Sequence, residues 1–293
     1  MSEDALRQLL ERHHENLPVG DGAETGVKYV IEHFGKVLDV IGGKVLSMAT
    51  AFESVLVNAP SWLIILIFIA LGYWRRGWRF ALFVLASLSF IIVIGMWEDT
   101  MKTLALVLSS SILSLACGIP LGIWAARNKT VEALLRPVMD FMQTMPAFVY
   151  LIPAVSLFGL GLVPALLAAM IFAMPASVRM TSLGLRQVNK ELVEAGHAFG
   201  CTSTQLLLKV QIPAALPSIM AGVNQTIMLV LSMIIIASFV GAGGLGEPVM
   251  RGMANVQIGP GAEGGLSVVL LAVILDRITE TFGNGRGKQQ AMS

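Results

Sequence analysis

The chain of 293 residues is 55% hydrophobic and 13% charged, with a formal net charge of +1 and a mean hydropathy of +0.75. A soluble globular domain carries about twice that share of charged residues, so this composition excludes one, and near-neutrality without a large basic cluster excludes a nucleic-acid partner. Two cysteines, Cys117 in an apolar run and Cys201 in a charged stretch, form neither a secreted disulfide framework nor a metal-spaced set.

Taken in order, residues 1–26 read as a polar, acidic tail. Its first twenty residues lack the apolar core of a signal peptide, and the adjacent His13 and His14 lack a third ligand for a metal. Over 27–57 the apolar residues Val30, Phe34, Val37, Ile41, Val45, Met48, Phe52 and Val55 recur at spacings of three and four. Lys28, Glu32, Lys36 and Lys44 stand between them. This pattern predicts an amphipathic helix lying on the membrane surface, or packed on the bundle, with the Gly42-Gly43 pair bending or interrupting it.

A hydrocarbon core of about 30 Å takes roughly 20 apolar residues per helix, and the sequence offers about seven such segments: 55–74, 80–96, 104–126, 141–160, 162–178, 218–240 and 262–281. The last is the weakest, with an unbroken apolar core of only 266–275. One set of connections and the C-terminus hold Arg75, Arg76, Arg79, Arg127, Lys129, Arg136, Arg179, Arg186, Lys190, Lys209, Arg277, Arg286 and Lys288; the other short loops hold only Lys102 and Arg251. The positive-inside bias therefore places the first set in the cytoplasm and, with seven spans, the N-terminal tail outside. Trp62, Trp74, Trp78 and Trp97 fall near span ends, where interfacial anchors belong.

The domain reading is a tail (1–26), a surface helix (27–57), two accessory spans (58–96), a transport core (97–282) and a cytoplasmic C-terminal tail (283–293). Within the core, the serines 109–111 and Ser114, with Gly118 and Gly122, suit close helix packing. Pro146, Pro153, Pro164 and Pro175 predict kinks around a cavity. Gln143 and Thr144 before Pro146, and Asn224, Gln225 and Thr226, are polar groups that lipid cannot satisfy. They are candidates for a neutral solute path, or for bonds across helices. The glycine-rich runs 241–246 and 259–265 read as an external segment, not a phosphate loop, since no Lys-Ser/Thr follows and no strand precedes.

One charged island, 189–213, interrupts this apolar pattern. Glu194-Ala195, Gly200, Val210 and Ile212-Pro213 fall at the spacing E-A-x(4)-G-x(9)-[IV]-x-[IL]-P. The island predicts a helix over 190–199, a break at Gly200, and a second helix over 203–210 that ends at a proline-led membrane entry.

The pattern resembles the cytoplasmic loop of ABC importer permeases, in which a Glu-Ala-Ala, a downstream glycine and an apolar-x-apolar-proline close form a coupling helix seated in a groove of the ATPase. Gly196 stands here where the second alanine is usual, and Val210 where isoleucine is commoner. The stretches MQTMPAFVYLIPAVSLFGLG, IMAGVNQTIMLVLSMIIIASFVGAGGLG and LDRIT are similar to those of glycine betaine/proline betaine permeases. The resemblance covers roughly 96–282.

It implies an all-α integral membrane protein of the type I ABC importer permease fold in the bacterial cytoplasmic (inner) membrane. Glu194, Ala195, Gly196, Gly200, Val210, Ile212 and Pro213 would meet the ATPase. The implied partners are a second permease copy, two ATPase subunits that carry ATP and Mg²⁺, an extracytoplasmic substrate-binding protein and membrane lipid. The chain itself would bind no cofactor and catalyse nothing.

Two other classes compete with that expectation. An ion-coupled carrier or channel for a small zwitterion would ordinarily show acidic or histidine residues in the middle of spans two to six, and none stands there. An intramembrane enzyme would need a nucleophile, base or metal set, and none falls at usable spacing.

Overall fold

The computed structural model describes residues 19–284; His13, His14, Arg286 and Lys288 lie outside the described residues. Among the described residues every regular element is helical. The first, α1 (Val19–Asn58), is a single 40-residue helix. The Gly42-Gly43 pair does not interrupt it. Gly42 is buried, and a methyl there would stand 3.4 Å from the Phe158 ring, so packing keeps the helix continuous at a position whose propensity is poor. Val45 and Ala49 continue that contact into the core.

Pro60 delays the start of the first expected span, because a proline has no N–H for the ladder and crowds the preceding turn. It leads into α2 (Ser61–Arg76), and Gly77 at φ +84° turns the chain into α3 (Trp78–Val93). Each has 16 residues, about 24 Å at 1.5 Å per residue. The pair forms a hairpin whose Val84, Leu88 and Ile91 meet Ile274 and Ile278 near the chain's end.

Among the described residues five helical runs are long and apolar enough to cross a membrane, or six if one bent pair counts as a span. They include α1, α4 (Trp97–Arg127), α7 (Leu162–Arg186), the run Ser203–Val240 that contains α10 (Ile212–Ala237), and α12 (Ile258–Asn284). The count differs from the expected seven at two places: α1 meets the test, and α2 and α3 are short.

The bent pair is α5 (Lys129–Thr144) and α6 (Ala147–Phe158), which meet at 100° across Met145-Pro146. Only this one of the four expected proline sites breaks a helix. Pro153 and Pro175 sit inside continuous helices and Pro164 in the first turn of α7, where a missing donor costs nothing. The Tyr150 hydroxyl bonds the Met142 carbonyl across the bend, and its ring packs edge-on against Phe172 at 5.6 Å.

The centre of the molecule is α4, α7 and α10. Without a hydrophobic drive between helices in lipid, contact depends on backbone approach, and the small residues supply it. A methyl on Gly122 would lie 2.7 Å from the Val178 carbonyl, and one on Gly222 2.7 Å from Met180 Cβ. The Ser110 hydroxyl reaches the Leu166 carbonyl at 3.3 Å and Arg186 the Ala125 carbonyl at 2.7 Å. These pairings run α4 parallel to α7, so the N-terminal ends of both lie at the face opposite the charged island. Gly42 of α1 faces Phe158 and Val163 at that same end.

After α10 a short 3-10 turn (Ser238–Val240) and Gly241, Gly243 and Gly244, all at positive φ, bring the chain to α11 (Gly246–Ala254). The glycine-rich runs were expected as an external segment, with the last span starting at 262; the Leu245 amide donates to the Thr103 hydroxyl at 2.8 Å, and α12 begins earlier, at Ile258. Glycine is tolerated in that helix because α11 needs the room: a methyl on Gly252 would stand 2.7 Å from Gly261 Cα.

Candidate functional site

The charged island folds as a compact helix–turn–helix. Asn189 caps α8 (Lys190–Ala198), its Oδ1 accepting from the Glu191 amide at 2.9 Å. The helix closes with both bonds of a Schellman turn: the Cys201 amide donates to the Gly196 carbonyl at 3.0 Å and the Gly200 amide to the His197 carbonyl at 2.9 Å. Gly200 occupies the left-handed position of that turn at φ +75°, so its place in the pattern is first a backbone requirement. Thr202 then caps α9 (Ser203–Leu206) reciprocally, accepting from the Gln205 amide while its own amide donates to Gln205 Oε1 at 2.9 Å.

The second helix does not end at Pro213. A π-helical stretch, Leu207–Gln211, carries α9 directly into α10, and Pro213 falls in that helix's first turn. The π-turn is a local widening of the helix, so the loop's second helix and α10 form one continuous helical run.

Gly196 departs from the usual alanine for a visible reason. It is buried, and a methyl there would meet Leu206 Cδ1 at 2.5 Å. Leu206 thus fills the volume that an alanine side chain would occupy. Glu194, Ala195 and Gly200 are exposed, while Val210, Ile212 and Pro213 are partly covered where the loop meets the bundle. The pattern therefore divides into an outward set and an inward set.

Between loop and bundle lies a cavity of about 330 Å³, lined by Glu194, Lys190, Arg127, Arg186 and Gln211 among others. Arg186 also pairs with Glu132 of α5, so one side chain joins the ends of α4, α5 and α7 directly beneath the loop. A second cavity of about 540 Å³ opens on the other side of Arg186, between Arg136, Asp140 and Arg179, with Arg179 paired to Asp140.

Sequence reasoning missed the loop's exposed apolar side chains. Phe199 is 89% exposed, and Leu192 and Leu208 are also exposed. A phenylalanine immediately before a helix-ending glycine on an otherwise polar helix was the available signal. Arg186 was counted for charge alone.

The candidate path residues are not gathered into one lining within the chain. Gln143 and Thr144 are exposed at the C-terminal end of α5, just before the bend, and Gln225 is exposed on α10. Thr226 is buried and bonded to its own helix at the Gly222 carbonyl. The Asn224 amide donates to Asp276 Oδ1 of α12 at 2.9 Å and accepts from the Thr279 hydroxyl. Asp276 also lies 3.9 Å from Arg277 of the same helix and is held more closely by Asn224.

Comparison with known proteins agrees with this geometry. Residues 118–286 match the family described as "Binding-protein-dependent transport system inner membrane component". The chain is 48% identical over 261 residues to the glycine betaine/carnitine transport permease protein GbuB of Listeria monocytogenes, covering 88% of this chain and 91% of that protein. It is 44% identical over 266 residues to the glycine betaine transport system permease protein OpuAB of Bacillus subtilis, covering 91% and 94%. To the glycine betaine/proline betaine transport system permease protein ProW of Escherichia coli it is 42% identical over 276 residues, covering 94% and 78%. Among solved structures, an inward-facing MetNI methionine ABC transporter matches with a TM-score of 0.56 and 25% identity, over 66% of this chain and 96% of that chain. A helix–turn–helix exposed between two spans, on a type I importer permease fold, with identity of this extent, makes the chain a member of the binding-protein-dependent transport system inner membrane component family.

Proposed function

We propose that this chain is the membrane-crossing subunit of an ATP-driven importer for glycine betaine or a related quaternary ammonium osmolyte. The observation that carries the coupling role is the capped, Schellman-closed loop at 189–213, whose Glu194 and Phe199 face outward and whose far end runs unbroken into α10. A soluble ATPase that grips this loop moves a span directly. ATP and Mg²⁺ bind on that ATPase, and this chain supplies no catalytic group. One loop per chain and a symmetric ATPase pair favour two permease copies about a two-fold axis, fed by an extracytoplasmic binding protein. The substrate class rests on the named solutes of GbuB, OpuAB and ProW, which share a quaternary nitrogen and a carboxylate. For such a zwitterion a neutral polar lining suits release, and Gln143, Thr144 and Gln225 remain its candidates.

The test is uptake into proteoliposomes that contain the permease, its ATPase and its binding protein. Labelled glycine betaine should accumulate with ATP, and proline and choline should compete weakly. Gln143→Leu should lower uptake while leaving basal ATP hydrolysis unchanged. Accumulation of betaine without ATP would instead favour an ion-coupled carrier.

The positive-inside bias supports a cytoplasmic loop and C-terminus. Gly42 packs against Phe158 and Val163 at the outer ends of α6 and α7, and an α1 that lies on that surface would leave the N-terminal tail external. In a chain freed of Cys117 and Cys201, a single cysteine in the loop should react with an impermeant thiol reagent only from inside, and one in the tail only from outside. Labelling of both from the same side would place α1 through the membrane and reverse the tail.

A further inference from the structure

Between Asp140 and Arg179, and again between Lys209 and Glu247, the sequence holds no charged side chain. The α5–α6 bend falls inside the first of these stretches. Just past the bend, Tyr150 packs its ring on Phe172, roughly ten residues into α7. That is about 15 Å along the helix at 1.5 Å per residue, half-way through a hydrocarbon core of about 30 Å. The last carbonyls of α5 have no partner in their own helix: that of Phe141 accepts from the Thr144 hydroxyl and that of Met142 from Tyr150. Among the described residues, the carbonyls of Gln143 and Thr144 meet no donor, and both residues are exposed. Lipid tails supply no donor either, so a helix broken at this depth stands against protein or water.

Two aromatic rings stand exposed beside that break. Phe148, in the first turn of α6, and Phe239, in the 3-10 turn that follows α10, have ring centroids 5.7 Å apart and planes at 68°. They are 53% and 49% exposed. An edge-to-face contact occupies one ring face and leaves the others open, and two rings set at this angle form a corner. Ring faces are electron-rich, so such a corner attracts a cation that carries its own apolar coat. A methylated ammonium fits that description, because it has no N–H in need of an acceptor and its methyl groups pack against the rings.

We propose that Phe148 and Phe239 form a site for the quaternary ammonium group of the solute as it crosses, between the bilayer midplane and the outer face. The inference rests on the betaine reading given above and adds to it the residues that meet the cation. Contact with lipid alone would also leave the two rings exposed, but it would not tolerate the bare Gln143 and Thr144 carbonyls that stand within five positions of Phe148. With no charged side chain in either stretch, the hold is weak enough for onward release.

The experiment uses the full chain in proteoliposomes with its ATPase and a saturating amount of binding protein, and reads labelled glycine betaine imported per ATP hydrolysed. This ratio does not depend on how much protein folds. It should fall about fivefold in F148L/F239L, the scale of a cation–π contact at a partly exposed site. A second series keeps the shape of the ring and changes only its electrons: 4-fluoro-, 3,5-difluoro- and 3,4,5-trifluorophenylalanine at position 148 should lower the ratio stepwise as the ring face loses negative charge, and this series decides alone if the leucine variant does not assemble. A ratio that ignores fluorination would overturn the proposal, and a loss in F148L/F239L without that response would make the pair a packing contact with lipid or with the second copy. Both of those results leave ATP-driven betaine uptake by the parent chain intact. Absence of such uptake in the parent would instead defeat the betaine reading, and this inference with it.

Discussion

A chain carrying Glu194→Lys is expected to insert and fold at wild-type level, yet to lose ATP-driven uptake by about 30-fold or more, the scale on which a central interface contact of ~2 kcal/mol acts. Glu194 is exposed on α8, so no core packing depends on it. It is also the acid that faces Lys190, Arg127 and Arg186 across the cavity beneath the loop, and reversing its sign sets four cations around that space. Phe199→Asp should give a comparable loss through the apolar side of the contact, since Phe199 projects almost wholly into solvent. Co-purification of the ATPase measures docking, and uptake measures coupling. Wild-type values of both in the two variants would remove the loop from the coupling account. Gly200→Trp is a less clean probe than either. Its site is open, with nothing within 4 Å of an added Cβ, but the left-handed backbone alone costs an L-residue about 1–2 kcal/mol. Gly200→Asn, which tolerates that conformation, separates the two effects.

The second large effect is expected at Gly122. Gly122→Ala places a methyl 2.7 Å from both the Val178 carbonyl and Thr181 Cβ, and neither neighbour is the far end of a flexible chain. Over-packing of this kind costs about 1–3 kcal/mol, and Gly122→Leu, which adds three further carbons, should exceed that and abolish recovery of folded protein. Thermal unfolding of the purified chain in detergent measures the loss. Gly43→Ala, in α1 with nothing within 4 Å, serves as the control and should not lower the transition, since alanine gains about 0.5–1 kcal/mol over glycine inside a helix. A Gly122→Ala chain as stable as its parent would show that α4 and α7 do not owe their approach to this glycine.

Much of the site was legible because its signals are local. A cap at Asn189, a Schellman glycine at Gly200 and a Thr202/Gln205 capping box all act within five residues, and the charge of the island contrasts with the apolar spans on either side. The division of the pattern into outward Glu194 and Ala195 and inward Gly196 was not legible, because it depends on where Leu206 packs after the turn. Asn224 is a similar case. Its polarity in a span was plain, but only the arrival of α12 turns it from a candidate path residue into a partner of Asp276 and Thr279.

What the sequence by itself determined is the class of solvent and the order of elements: runs of apolar residues long enough to leave water, arginine and lysine gathered on one set of connections, and one polar loop with its own caps. These follow from transfer free energies and backbone hydrogen bonding, which each segment satisfies independently. Only the tertiary structure decided which glycines interrupt a helix and which permit contact, and which proline breaks a span. Gly42 lies in an unbroken α1 because Phe158 packs against it, and α12 extends back to Ile258 because Gly252 and Gly261 bring two backbones together. Pro146 yields a 100° bend while Pro175 lies within a continuous α7. The physical reason is that glycine and proline set only small local costs, and in a membrane the packing of neighbouring helices is large enough to reverse them.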